Sequence, residues 1–586
     1  MKISTTLALL VIAIGLGIFV WILDRRSPGN REQLARSAYL VDLDRNDITQ
    51  LEIENGDTKT RLLKTNDGWQ LTAPVVDRAD SKVIDTLLYS TQFLKRNDSL
   101  GNLGKGDQKR NYLKQFGVLR SRLILRCTGK QTHIELQFGG ETAVEGSCYV
   151  RIDSKDEVFV TDDDLKNLIS KPPDSFRDHQ LTPFLNPEID RIVLTQAAGE
   201  IELTRQQDQW QIERPIKARA SQTAVSRMLK KISETPVLQF LDEEGSGELE
   251  TENSPDAITL FSGESKVKIA CGAPVSNQPG HIYVRVSDRP STFIVDESLA
   301  QTLEQKPNDL RDRRIVRLNP DLIDRITITA KGQTTAQLSR KEGHWIISDQ
   351  NDAPANADAV DRLFNTLNSN DVSRFVADNA SDLTSYGLDT PALEFAFSSY
   401  SSENTAEENA GETRIATLAV GRLEGDNYYA RVEEEPYVVA LPKRIVDQLP
   451  TNDFSFRSHE ILNLPRTDIA SVEITKDGST VVLTRNEKGQ WVVQGQNGSQ
   501  NDLAIQTFLN TLSGLQSTAW VSEKSLAAEP PVEKIVIHRK SDQKEIILQI
   551  GEKAAEGDEY ATISTLPGTF LIRALDFQNL QDSLVR

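Results

Sequence analysis

Residues 48–80 read ITQLEIENGDTKTRLLKTNDGWQLTAPVVDRAD. Ile48, Leu51 and Ile53 open a β-type run whose later positions alternate, the pattern of a strand with one buried face. Asn55-Gly56-Asp57 supplies a tight turn, a second strand runs from Thr60 to Lys64, and Asn66-Asp67-Gly68 turns the chain into Trp69. Gly and Asp suit hairpin turns, which need positive φ. Asp80 belongs to the short polar set that satisfies free amides at a helix start. Ile84, Leu87 and Leu88 then fall on one helical face. The stretch predicts a three-stranded meander followed by a capped amphipathic helix.

The arrangement recurs three more times. The opening sets are Ile189/Ile192/Leu194, Ile323/Ile326/Ile328 and Ile469/Val472/Ile474. The turns into the indole read Gln207-Asp208-Gln209-Trp210, Glu342-Gly343-His344-Trp345 and Lys488-Gly489-Gln490-Trp491. Successive Trp residues are 141, 135 and 146 positions apart, and a near-constant period of that size marks one unit copied in tandem. Ser221, Asn356 and Asn501 stand where Asp80 does. The stripes Val225/Met228/Leu229, Val360/Leu363/Phe364 and Ile505/Phe508/Leu509 follow them. A large aromatic placed there reads as a plug between meander and helix, since its ring removes about 150–250 Å² from water.

The second half of each copy is again strand-rich, as in Leu123-Ile124-Leu125 and Ile134-Glu135-Leu136. A Gly (Gly139, Gly272, Gly421, Gly551) precedes a Tyr (Tyr149, Tyr283, Tyr429, Tyr560) by eight to eleven residues. In three copies an Arg follows two places on, giving Tyr149/Arg151, Tyr283/Arg285 and Tyr429/Arg431. Packing does not require that Arg, so these six residues form the candidate interaction surface. Along one side of the array they would suit a repeated acidic or polymeric ligand. A last strand and a short helix with Leu165 and Leu168, or Leu299 and Leu303, complete the copy, and Pro187, Pro320 and Pro465 close the first three.

The fold expected is therefore α+β: an N-terminal transmembrane helix and then four tandem α+β modules. Each comprises a strand meander, an amphipathic helix, further antiparallel strands and a short helix, with roughly six or seven strands in all. The boundaries are 1–40 for anchor and linker, then 41–187, 188–320, 321–465 and 466–586.

From Leu7 to Leu23 no residue is charged. As a helix this run spans about 25 Å, and Thr5 and Thr6 extend it toward the ~30 Å hydrocarbon layer. Val20 to Asp24 is bulky and offers no small-x-small cleavage site, so an uncleaved single-pass anchor through residues 5–23 is expected. Lys2 lies on one side and Arg25, Arg26 and Arg31 on the other, so charge bias does not fix the orientation. A short tail before a large acidic body favours the inner (cytoplasmic) membrane with the bulk of the chain extracytoplasmic, in the periplasm.

With 86 acidic and 67 basic residues among 586, the net charge of −19 argues against nucleic-acid binding, which needs a basic surface. Three cysteines are too few for a disulfide scaffold or a zinc site. Cys127 and Cys148 share a module and either pair or stand as separate buried thiols. The six histidines show no metal-binding spacing. His179 and His459 occupy similar places after the second helix, where the second copy has Arg313-Arg314. No catalytic, cofactor-binding or metal-binding residue is expected, nor any cofactor.

Tyr386-Gly387-Leu388-Asp389-Thr390-Pro391 in the third copy, its shorter form Phe116-Gly117-Val118 in the first, and the Trp and helix start carry a resemblance. The chain resembles the bacterial domain-of-unknown-function family numbered forty-three forty over most of its length after residue 40. The resemblance implies single-pass membrane proteins with tandem copies, often encoded beside ABC-type transporter components related to those of gliding motility. It carries no catalytic residues. The expected function is that of a non-enzymatic accessory or scaffold in an ABC-type transport or cell-envelope system, with protein partners in that complex. The alternative is an envelope glycan- or polymer-binding protein.

Overall fold

The structure, a computed structural model, describes residues 38–586 apart from 102, 104, 154, 156, 243–255, 349–351, 401–410, 496–501, 522–530, 555–556 and 582–586. In the first module the elements are β1 (Ile48–Asn55), β2 (Thr58–Thr65), β3 (Gly68–Ala73), β4 (Asp77–Arg78), α1 (Ser81–Gln92), β5 (Asp98–Ser99), α2 (Asp107–Gln115), β6 (Leu123–Gly129), β7 (His133–Glu141), β8 (Ser147–Ile152), β9 (Val158–Asp162) and α3 (Asp164–Ile169).

These strands form one continuous sheet in the order β4-β3-β2-β1-β6-β7-β8-β9-β5, and every pairing is antiparallel. The meander builds one half outward from β1. The chain then returns to the far edge as β5 and re-enters beside β1 as β6. The second and third modules repeat the nine-stranded order and the fourth has eight strands.

This corrects the α+β expectation. The chain is 45% strand and 21% helix, built on four large antiparallel sheets, with helices serving as covers. The six or seven strands expected per module fall short because β4 and β5 hold two residues each, too few to show any period. Among the described residues no helix is long and apolar enough to cross a membrane. The expected anchor, residues 5–23, lies outside the described residues.

One face of each sheet carries the core. In the first module Leu51, Ile53, Leu62, Leu71, Leu125 and Leu136 alternate with less buried neighbours and meet Ile84, Leu87 and Leu88 of α1 and Leu165 and Ile169 of α3. Asp80 caps α1 by accepting from the amides of Lys82 and Val83, and Asn356 caps Ala357–Ser369 by accepting from Ala359. Ser221 directly precedes Gln222–Glu234, whereas Asn501 lies outside the described residues. The indoles of Trp69, Trp210, Trp345 and Trp491 are all at least nine-tenths buried. Each pairs across the hairpin with a basic residue (Lys64, Arg205, Arg340 or Arg485), and the charged groups of Lys64, Arg340 and Arg485 lie over the ring at 6.0, 4.9 and 4.7 Å.

The described chain forms two compact units, one with Ala38–Pro215 and Gln222–Leu310, the other with Ile216–Ser221 and Arg311 onward. Module one and most of module two thus lie in the first unit. Modules three and four lie in the second, together with Ile216–Ser221 and Arg311–Pro320 of module two.

Candidate functional site

Just before the helix caps, Ala79, Ala220 and Ala355 each form an isolated β-bridge to an arginine at the far end of the same copy: Arg177, Arg311 and Arg457. These arginines are 1%, 2% and 8% exposed. Their guanidinium groups lie over aromatic rings of the following sheet, Phe240 at 3.9 Å, Phe375 at 3.5 Å and Trp520 at 4.9 Å. Those three rings occupy one structural position, since each faces the equivalent residue of the last long strand (Phe293, Val439 and Phe570). The first module has Ser99 there and closes that edge with its own Arg96, 4.5 Å from Phe159 and paired with Glu157.

The polar partners differ from junction to junction. Arg177 donates to Asp77 at 2.8 Å, to Asp242 at 2.9 Å and to Ser291 at 2.5 Å. Arg311 donates to Asp378 at 2.5 Å and also stacks on Tyr437. Arg457 is held by Asp453 of its own copy and donates to the Pro567 carbonyl at 2.5 Å. A buried guanidinium needs such pairing, because an uncompensated charge in the interior costs several kcal/mol.

A second charged pair flanks each arginine in the first two cases. Arg289 reaches back to Asp77 through two bonds of 2.7 Å, both side chains being fully buried. At the equivalent loop position Glu435 pairs with Arg219. At the third junction the loop residue is Leu566 and the residue matching Arg219 is Pro354. Burial pushes the Asp77 carboxyl up, but Arg289 and Arg177 together outweigh it and hold the group below the usual carboxylate range. Asp312 behaves likewise: burial raises it, and Arg314, Arg317 and Arg219 bring it down.

Two residues beyond each junction arginine stand His179, Arg313 and His459. His179 Nδ1–H donates to the Val237 carbonyl at 2.7 Å, Arg313 to Val372 at 3.1 Å, and His459 to Ser517 at 3.1 Å. These three carbonyls hold the same place on successive sheets, so the side chains add a second tie at each junction.

The Tyr and Arg candidates sit elsewhere, on the sheet face opposite the main core. Tyr149 lies 4.6 Å from Phe116 and Tyr429 lies 5.1 Å from Tyr386, ring to ring. They form the floor under Phe116-Gly117-Val118 and Tyr386-Gly387-Leu388. Those turns approach the sheet closely: a Cβ on Gly139 would stand 2.1 Å from the Phe116 carbonyl oxygen, and one on Gly421 2.3 Å from that of Tyr386. Arg151 and Arg431 donate through Nε to the Lys155 and Glu435 carbonyls, four residues on. Tyr429 also bonds Glu424 through its hydroxyl. Tyr283 and Arg285 lie half-buried on the matching strand, paired with Ile294 and Thr292. The six are therefore distributed over three sheets, two per sheet.

Cys127, Cys148 and Cys271 are buried thiols outside any disulfide. Burial pushes Cys127 and Cys271 up to about 12 and Cys148 to about 11. Among the described residues no three His, Cys, Asp or Glu side chains gather as metal ligands.

A family model described as "Domain of unknown function (DUF4340)" matches residues 69–257, 210–352 and 345–534. The chain belongs to the DUF4340 family. Each matched stretch begins at a plug Trp and runs past a junction arginine into the next copy, so the DUF4340 unit includes the joint as well as the sheet. No curated protein matches the chain. Among solved structures, a DNA polymerase sliding clamp from Pseudomonas aeruginosa is 8% identical, with 66% of this chain and 92% of that chain covered. Its TM-score of 0.11 is too low to inform fold or function.

Sequence reasoning missed the junction arginines of this DUF4340 chain. Their signal was present as Ser175-Phe176-Arg177, Asp309-Leu310-Arg311 and Ser455-Phe456-Arg457, spaced 134 and 146 residues apart, close to the Trp period.

Proposed function

We propose that this DUF4340 protein is a non-enzymatic scaffold, tethered to the inner membrane through residues 5–23, that presents its modules outside the cytoplasm to an ABC-type transport or cell-envelope complex. The observation that supports this reading is the use of the buried charge. Arg177, Asp77 and Arg289 are all directed at the joint between the first two sheets, and Arg457 at the joint between the last two. Joints of this kind hold neighbouring sheet surfaces at fixed spacing, and a surface already fixed loses less entropy when a partner docks. Repetition of such joints is what a multi-site interaction protein needs.

The test is crosslinking in intact cells, followed by affinity capture of the full chain from solubilised membranes and quantitative mass spectrometry. ABC-type permease and ATPase subunits should be enriched well above a control bait with the same anchor. Recovery at control level would reject the reading. A reporter fused after residue 40 checks orientation independently, with activity expected only for an extracytoplasmic reporter.

A further inference from the structure

At the first junction the two facing segments carry four charged side chains: Asp77 and Arg78 on one side, Asp288 and Arg289 on the other. Arg289 pairs with Asp77 at 2.7 Å and Arg78 with Asp288 at 3.5 Å. The loop that supplies Asp288 and Arg289 recurs without insertion, because the register before and after it is the same. Ile269↔Val286 and Val284↔Phe293 in the second module match Leu548↔Ile563 and Ala561↔Phe570 in the fourth. The strand that supplies Asp77 and Arg78 is likewise fixed by Leu71↔Asp77 and Gln70↔Arg78 against Ile347↔Ala353 and Ile346↔Pro354. At the third junction the four positions are therefore Ala353, Pro354, Thr565 and Leu566.

All four of those residues line a cavity of about 180 Å³, together with Pro567 and Trp520. The volume given up by the charged side chains has not been refilled by the chain. Three observations define what fits. The Trp520 Nε1–H donates to the Ser458 carbonyl at 2.9 Å, which fixes the indole. Two charged residues stand in the wall: Arg457, matched by Asp453 at 2.7 Å and by the Pro567 carbonyl, and Glu460, whose carboxylate disfavours an anionic guest. The Arg457 guanidinium also sits over Trp520, so the pocket presents stacked planar surfaces. An apolar cavity of about 150 Å³ is large enough to bind benzene.

We propose that the junction between the third and fourth modules is a binding site for a small, single-ring aromatic molecule that carries no negative charge, seated on Trp520 between Pro354 and Leu566. This is independent of the scaffold reading, since it concerns a small molecule and not a protein partner.

The test is ¹⁹F NMR titration of fluorobenzene against the full chain, with each variant measured in the same detergent so that partition into micelles is common to all. The wild type should show saturable binding. Two variants should lose it at least tenfold. Pro354→Arg with Leu566→Glu rebuilds the Arg219–Glu435 pair that the chain already uses one junction earlier, and Ala353→Phe fills the space directly. Benzoate should compete at least tenfold less well than toluene. Absence of saturable binding by the wild type overturns the proposal, as does binding that persists in both variants.

Discussion

The Asp77 carboxylate receives both Nε and Nη2 of Arg289, a residue 212 positions later, at 2.7 Å each, with both side chains sealed from water. A bidentate pair of this kind is geometrically specific as well as strong. It ties β4 of the first sheet to a loop of the second, and Arg177 wedges against the same carboxylate. At the loop position equivalent to Arg289 the third module carries Glu435, which pairs with Arg219, the counterpart of Arg78.

Truncating a junction arginine should therefore cost far more than truncating a surface one. Arg177→Ala takes one of the two arginines from the buried Asp77 carboxylate, and a loss of about 3–5 kcal/mol is expected, the usual cost of breaking a buried pair. Arg214→Ala, which removes an exposed pair with Glu202, should have little effect, since solvent screens such a pair. Native-state hydrogen exchange on the strands of the first two modules reads both effects.

Acid should loosen the first junction. The folded Asp77 group titrates below its unfolded value of about 3.9, so its contribution is fully present above that pH and disappears as pH falls through the depressed folded value. Asp77→Asn should be less stable than wild type at pH 7, with the gap narrowing below about pH 3.9. A gap that stays constant from pH 7 to pH 2 would show that the carboxylate is not held by its arginines.

Adding one methyl group at Gly139 should displace the Phe116-Gly117-Val118 turn, since the new Cβ would overlap the Phe116 carbonyl oxygen at 2.1 Å. Gly139→Ala is expected to destabilise by about 1–3 kcal/mol. It should also expose Tyr149, now half-buried beside Phe116, to solvent. Gly421→Ala should do the same to Tyr429 under Tyr386. Tyrosine accessibility to iodination reports the change.

The three thiols should be silent in the folded chain. With Cys127 and Cys271 pushed up to about 12 and all three side chains buried, maleimide labelling at pH 7 should be negligible in native conditions. In denaturant it should reach three per chain. Rapid native labelling would place one of them at an accessible site.

Loss of a helix cap should act locally. Asp80→Ala removes the acceptor for the Lys82 and Val83 amides and should cost about 1 kcal/mol. The change should appear in exchange of α1 amides and leave the helix of the third module, capped by Asn356, at its wild-type rate.

What could be read from the sequence was the part with a local period. The alternation around Leu51 and Ile53, the turn into Trp69, the cap at Asp80 and the stripe at Ile84, Leu87 and Leu88 each fall within one or two turns of chain, and the structure places them as strand, hairpin, cap and buried helix face. Pairings between distant segments have no such signature. Nothing local says that β6 returns to lie beside β1, or that Asp98 and Ser99 reach the far edge beside β9, so the joining of both halves of a copy in one sheet could not be read from the sequence. Helices that only cover that sheet then suggested an α+β class. Arg177, Arg311 and Arg457 escaped for a different reason. An arginine flanked by Asp and Ser has the composition of a solvated loop, and only its recurrence at the Trp period distinguishes it.

The account rests on buried charge joining one sheet to the next, and a double-mutant cycle on Asp77 and Arg289 addresses it most directly. Stability of strands in both modules would be read by native-state exchange in Asp77→Ala, Arg289→Ala and the double variant. A coupling of about 1–3 kcal/mol, felt in both sheets, is the expected result. Effects that add to within about 0.5 kcal/mol would contradict it.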